Sequence, residues 1–121
     1  MISHEIPDRP WQTVGTDLFD WDGSSFVLIV DYYSRFVEIE WLQNTRSATV
    51  IKETKAVFSR HGIPEKVISD NGPCYSSQEY AKFAKDWDFN HVTSSPRYPH
   101  SNGLSEKFVQ TVKRILTKAN S

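Results

Sequence analysis

Three carboxylates in this 121-residue chain, Asp17, Asp70 and Glu106, have the types and settings to do chemistry together. Asp17 lies inside an apolar, strand-like run, Asp70 closes a second strand, and Glu106 rides on the polar side of a helix. There are 52 residues between the first two and 35 between the last two. An acid in an apolar strand is costly to bury unless something positive balances it, and a divalent metal is the natural balance. Magnesium prefers oxygen ligands, near-octahedral geometry and few protein carboxylates, leaving positions for water and phosphate. Two such ions about 3.5–4 Å apart can serve the attacking and leaving oxygens of an in-line phosphoryl transfer. One carboxylate shared between the ions and one further carboxylate on each would suffice. Singly, each acid has a plainer reading: Asp17 as a strand acid facing solvent, Asp70 as a turn former before Asn71-Gly72, Glu106 as part of a solvated helix face.

The elements that must carry these acids follow from periodicity. Thr13 to Trp21 reads as a strand, with Val14, Thr16 and Leu18 alternating against Gly15, Asp17 and Phe19. Asp22-Gly23 signals a turn. Phe26 to Val30 is a nearly continuous apolar run, the mark of a strand covered on both faces. Phe36 to Leu42 forms a third strand, in which Glu38 and Glu40 alternate with Val37, Ile39 and Trp41. Short connections make these three an antiparallel meander. The period then changes: Val50, Ile51, Thr54, Val57 and Phe58 share one face of a helix from Ser47 to His61, with Ser47 as its N-cap and Gly62 and Pro64 as its stop. Lys66-Val67-Ile68 is a short buried strand that delivers Asp70 to the turn Asn71-Gly72-Pro73, at a strand's C-terminal end, where open α/β sheets place ligands. Ser76 with Glu79 reads as a capping box for a helix bearing Tyr80, Phe83, Ala84 and Trp87. Phe89 to Thr93 is a fifth strand, and Ser94 to Asn102, with two prolines, a mobile loop. A last helix, Gly103 to Ala119, is expected to bury Leu104, Phe108, Val112, Ile115 and Leu116. On it Glu106, Gln110 and Lys113 form one polar stripe. Helix crossovers among the later strands imply parallel pairing, hence a mixed α/β sheet.

Composition narrows the class. The length suits one domain, and no apolar stretch approaches the roughly 18 residues of a membrane span, so no membrane partner is expected. Met1 to Pro10 are polar and contain prolines, unlike a secretory signal. A single cysteine, Cys74, excludes an internal disulfide and a Cys-based zinc site built from this chain alone. Net charge is −1, which argues against a general nucleic-acid glue, but its distribution is uneven. Residues 1–30 carry five acids against Arg9, whereas residues 101–121 carry Lys107, Lys113, Arg114 and Lys118 against Glu106. The basic end coincides with the helix that holds the third carboxylate, a distribution compatible with a localised DNA contact.

In these words and spacings the chain resembles the catalytic core of retroviral-type integrases, most closely those of gypsy-like long-terminal-repeat retrotransposons. The matching segments are WQTVGTD (Trp11 to Asp17), VDYYSRF (Val30 to Phe36), ISDNGP (Ile68 to Pro73) and SSPRYPHSNGLSEKFVQTVK (Ser94 to Lys113), and the spacing from Asp70 to Glu106 is a hallmark of that family. The resemblance implies a ribonuclease-H-like fold, a five-stranded mixed sheet flanked by helices. It implies a polynucleotidyl transferase that trims the 3′ ends of an element's DNA with water and joins them to target DNA. Asp17, Asp70 and Glu106 match the ligands of two Mg²⁺ (or Mn²⁺) ions, and Asn102 and Lys113 match residues that contact element DNA. Gln110, on the Lys113 stripe, and Lys107, off it, are further DNA-binding candidates, while Ser94 to Asn102 matches an active-site loop. DNA partners, a homo-oligomer formed through the parent protein, and a nuclear location are implied as well.

The resemblance also has departures. Cys74-Tyr75 stands where members commonly have Gln or Thr followed by Phe, and Arg97-Tyr98-Pro99-His100 varies the usual order. Residues 1–121 are expected to be a core truncated on its C-terminal side, with the amino-terminal zinc-binding and carboxy-terminal DNA-binding domains absent. The alternative function is an integrase-derived, non-catalytic module for binding DNA or protein; a ribonuclease H shares the fold but brings a fourth acid. His4, His61, His91 and His100 lack zinc-ligand spacing. Trp11, Trp21, Trp41 and Trp87 read as core or interface anchors, and Cys74 as inert.

Overall fold

The computed structural model describes residues 9–93 and 103–119, with side-chain surroundings for 9–93 and 107–118. The chain runs β1 (Thr13–Trp21), β2 (Ser24–Asp31), β3 (Val37–Leu42), α1 (Ser47–His61), β4 (Lys66–Ser69), α2 (Gln78–Trp87), β5 (Asn90–Thr93) and α3 (Gly103–Ala119). The five strands form one sheet in the order β3-β2-β1-β4-β5. β1 pairs antiparallel with β2 and β2 with β3, whereas β1–β4 and β4–β5 are parallel. The order of elements and the mixed sheet are those expected from the sequence.

Alternation sorts the side chains onto two faces. Val14, Val27, Ile29 and Val67 meet Val50, Val57, Phe58, Tyr80 and Phe83 of α1 and α2. Phe19, Leu28 and Val30 meet Val109 and Val112 of α3 on the other face. β2 therefore feeds both cores, which is why Phe26 to Val30 is continuously apolar. Each such buried side chain stabilises the fold by about 1.5–3 kcal/mol relative to leaving it exposed. Glu38 and Glu40 point to the α1 side, where Arg60 Nη2 lies 3.1 Å from Glu38 and 2.9 Å from Glu40.

The structure differs from the sequence reading at the helix ends and on α3. The N-cap of α1 is Arg46, without a side-chain cap bond, and Ser47 is already helical. At α2 the cap is Ser77, whose side chain accepts from Tyr80 N, while Ser76 Oγ donates to Pro73 O at 3.4 Å. On α3, Val109 and Val112 are buried and Ile115 is 59% exposed. The helix rests on β1 and β2, so its Ile115 flank has no sheet beneath it. β3 begins at Val37 and β5 at Asn90, one residue later than expected.

Candidate active site

Asp17 sits mid-way along β1, opposite Leu28 of β2. It shares its sheet face with Phe19, which packs under α3. The carboxylate is half-buried and its Oδ1 accepts from Leu18 N at 2.9 Å. On the other side of β1, the parallel register sets Gly15 opposite Ile68. Carried two residues further along both strands, that register brings Asp17 beside Asp70 on the same face.

Asp70 is exposed just past the end of β4. Its Oδ1 accepts from Gly72 N at 2.9 Å, the Asx turn that Asp-Asn-Gly favours. The preceding Ser69 is fully buried. Its Oγ donates to Asp70 O at 2.8 Å and lies 2.8 Å from His91 Nε2. Because the single hydroxyl proton goes to the Asp70 carbonyl, the His91 ring is the donor to Ser69. His91 also lies against the Tyr80 ring, centroids 4.7 Å apart, and burial lowers its pKa. It is a structural histidine, held neutral.

Helix α3 is seated on β1 by two contacts from one flank. Lys113 Nζ lies 5.9 Å from the centroid of the Phe19 ring, and Trp21 Nε1 donates to Thr117 Oγ1 at 3.3 Å. Helix and strand therefore run the same way, one helical turn for every two strand residues. Position 106 precedes 113 by seven residues, about two turns and ~10 Å, and lies only about 20° around the helix from it. Position 106 therefore lies about three to four strand residues before Phe19, near Gly15 and Thr16 and so within one to two residues of Asp17 along β1. The side chain of Glu106 falls outside the described ones, as do Asn102 and the whole loop 94–102. Gln110 and Lys107 are exposed on α3, whereas Lys113 is half-buried, drawn from the solvent by Phe19.

The geometry supplies hard oxygen donors and no soft ones. Asp17 and Asp70 would be neighbours, and both supply carboxylate oxygens, so the donor set fits Mg²⁺ or Mn²⁺. Among the described residues there is no cluster of three or more His, Cys, Asp or Glu side chains that could hold a metal; the third acid of the trio stands on α3. The Cys74 thiol is buried and its pKa is pushed up to about 11, chiefly by desolvation, so it offers no ready thiolate.

Two structural residues escaped the sequence reading. Asp31 is only 2% exposed at the end of β2, and its carboxylate accepts from Trp11 N, Tyr33 N, Ser34 N and Ser34 Oγ at 2.7–3.3 Å. Thus a strand acid can be balanced by donors alone, and Ser three residues later was the available signal. Tyr75 is buried, and its hydroxyl lies 3.0 Å from Thr16 Oγ1; nothing local in the sequence marks that pairing.

Comparison with known proteins bears on this arrangement. A family model described as the integrase core domain matches residues 4–99. An uncharacterised protein of Caenorhabditis elegans is 33% identical over 114 residues, 93% of this chain and 9% of that protein. The Gag-Pro-Pol polyprotein of sheep pulmonary adenomatosis virus is 28% identical over 113 residues, 93% of this chain and 6% of the polyprotein. The chain thus spans a small fraction of the length of these relatives. A chain of the simian T-cell lymphotropic virus intasome is 25% identical, with a TM-score of 0.84 over 98% of this chain and 44% of that one. The catalytic core domain of BIV integrase gives 0.78 at 21% identity, over 91% of this chain and 72% of that one. The HTLV-2 integrase core solved with magnesium gives 0.73 at 24% identity, with the same coverage. The five-stranded mixed sheet is the ribonuclease-H-like fold of those cores, among the described residues no helix is long and apolar enough to cross a membrane, and the chain belongs to the integrase core domain family.

Proposed function

We propose that this chain is the catalytic core of a DNA integrase, a polynucleotidyl transferase that trims the 3′ ends of an element's DNA and joins them to target DNA. The observation that carries the reading is the parallel register of Gly15 with Ile68, which, carried two residues further, would set Asp17 beside Asp70 on the face α3 crosses. In this reading Asp17, Asp70 and Glu106 hold two Mg²⁺ or Mn²⁺ ions. Those ions, when bound, would offset charge on the phosphodiester oxygens and make the attacking hydroxyl more acidic.

The chain's own side chains have distinct tasks. Asp17, on a central strand paired on both sides, is the rigid member. Asp70, in its Asx turn, presents its free oxygen from the strand end. Lys113 meets a phosphate as a point charge and is kept over the site by its Phe19 contact. Gln110, Lys107 and Asn102 contact the flanking DNA. In the first step a water oxygen bonds to phosphorus and the phosphodiester bond to the 3′ oxygen breaks. In the second the freed 3′ hydroxyl attacks a target phosphodiester, so one such bond forms as one is lost. Both steps need DNA ends brought together, which points to an oligomer of the parent protein, working in the nucleus.

Mn²⁺ titration of the chain and of its Asp17→Asn, Asp70→Asn and Glu106→Gln variants tests the site. Binding is expected in the parent and is lost in each variant; equal binding in all four removes the assignment. In the parent protein, paired end oligonucleotides with Mg²⁺ should yield strand-transfer product that the same substitutions abolish. A parent protein that binds DNA yet yields no product under these conditions would be the non-catalytic module instead.

A further inference from the structure

The Tyr75 ring needs no hydroxyl to be held. It packs edge-on against Tyr80 at 5.2 Å and beside His91 at 6.2 Å, and it is only 4% exposed. A phenylalanine would fill the same space without burying a polar atom, which is costly unless bonded. The hydroxyl's partner is Thr16 Oγ1, 3.0 Å away, and Thr16 is itself only 1% exposed, where valine would also pack. Replacing both partners of such a pair by apolar groups of the same shape is nearly neutral for stability, whereas removing one strands the other. The pair therefore adds a tie that core packing does not require.

What it ties is specific. Thr16 immediately precedes Asp17 on β1. Tyr75 lies within the turn that begins at Asp70, a segment stiffened by Gly72 N to Asp70 Oδ1 at 2.9 Å and Ser76 N to Gly72 O at 2.9 Å. Thr16 points to the α1–α2 face and Asp17 to the opposite one, so the bond sits behind the sheet where the extended β1–β4 register would bring the two acids together in front. Burial holds Tyr75 protonated, so the bond persists across the working pH range.

We propose that Tyr75 and Thr16 are positioning residues whose hydrogen bond clamps the Asp70 turn to β1 and so sets the separation of the Asp17 and Asp70 carboxylates for metal binding. The inference rests on the reading of these acids as metal ligands. It concerns a hydroxyl at the position where the resemblance leads one to expect phenylalanine.

Mn²⁺ affinity by calorimetry, together with thermal melting, tests it on Tyr75→Phe, Thr16→Val, the double variant and Thr16→Ser, each measured well below its melting temperature. Each single variant should bind Mn²⁺ about tenfold more weakly, the lower end for residues that orient metal ligands. In the double variant the melting temperature should recover toward the parent's while the affinity stays about tenfold reduced. Thr16→Ser, which keeps the hydroxyl, should bind as the parent does. Affinity that follows stability back to the parent value in the double variant, or that never changes, overturns the clamp. Asp17→Asn separates the two levels. If it abolishes binding while Tyr75→Phe does nothing, only the clamp fails; if Asp17→Asn also binds normally, the site reading itself falls and the clamp with it.

Discussion

A Cβ built at Gly72 would stand 3.1 Å from Asp70 Oδ1, closer than ordinary van der Waals contact. The atom in the way is the end of an exposed side chain, so the fold can absorb Gly72→Ala by swinging the carboxylate out of its turn. The expected result is a small change in stability, within about 1 kcal/mol, with clearly weakened Mn²⁺ binding. Unchanged binding would mean that the Asx geometry of Asp70 is irrelevant to the metal. Cys74 gives a residue-scale prediction of the opposite kind. With its pKa near 11, about one thiol in a thousand is ionised at pH 8, against roughly a quarter for a free cysteine. A disulfide reagent should therefore label the native chain at least about a hundredfold more slowly than the unfolded one. Comparable rates would show that the thiol is open to solvent.

At the scale of elements, the adjacent serines before α2 separate what local chemistry can say from what only the folded backbone decides. Ser76 and Ser77 are both good caps, and the spacing to Glu79 favours Ser76. In the structure Ser77 takes the extended conformation (φ −75°, ψ 159°) and its Oγ accepts from Tyr80 N at 3.1 Å. Ser77→Ala should cost about 1 kcal/mol and Ser76→Ala less than half of that; equal costs in denaturant titrations would return the cap to Ser76. Elements with a strong period were legible in advance. β1 sends Val14 and Leu18 to one core and Phe19 to the other, and all five apolar-face positions expected on α1 are buried. Ile115 was misjudged because its exposure depends on which strands lie under α3, a tertiary fact. The site divides similarly. Asp17, Asp70 and Glu106 stood out by type, spacing and flanking words, but Thr16 and Tyr75 meet across 59 residues, and nothing in either neighbourhood announces the other.

For the whole molecule, the candidate site sets stability against function. Carried two residues past its last pair, Gly15 with Ile68, the register of β1 and β4 would bring two carboxylates together on one face, and like charges so placed repel. Since Asp70 is exposed, water screens that repulsion to well under ~1 kcal/mol, but it acts on the central pair of the sheet. Replacing Asp17 by Asn should therefore raise the melting temperature slightly in the absence of divalent ions. Ions that bind only the folded state add RT ln(1 + [L]/Kd), about 2.7 kcal/mol at a hundredfold excess over Kd. For a domain of this size that corresponds to a rise of roughly 10 °C. The two effects must cross: at low Mn²⁺ Asp17→Asn melts above the parent, and at high Mn²⁺ the parent melts above the variant, with chelation restoring the first order. A variant that melts below the parent in chelator and still gains from Mn²⁺ would make Asp17 a structural acid like Asp31. The crossing is the thermodynamic signature of acids kept together for a cation at the fold's expense.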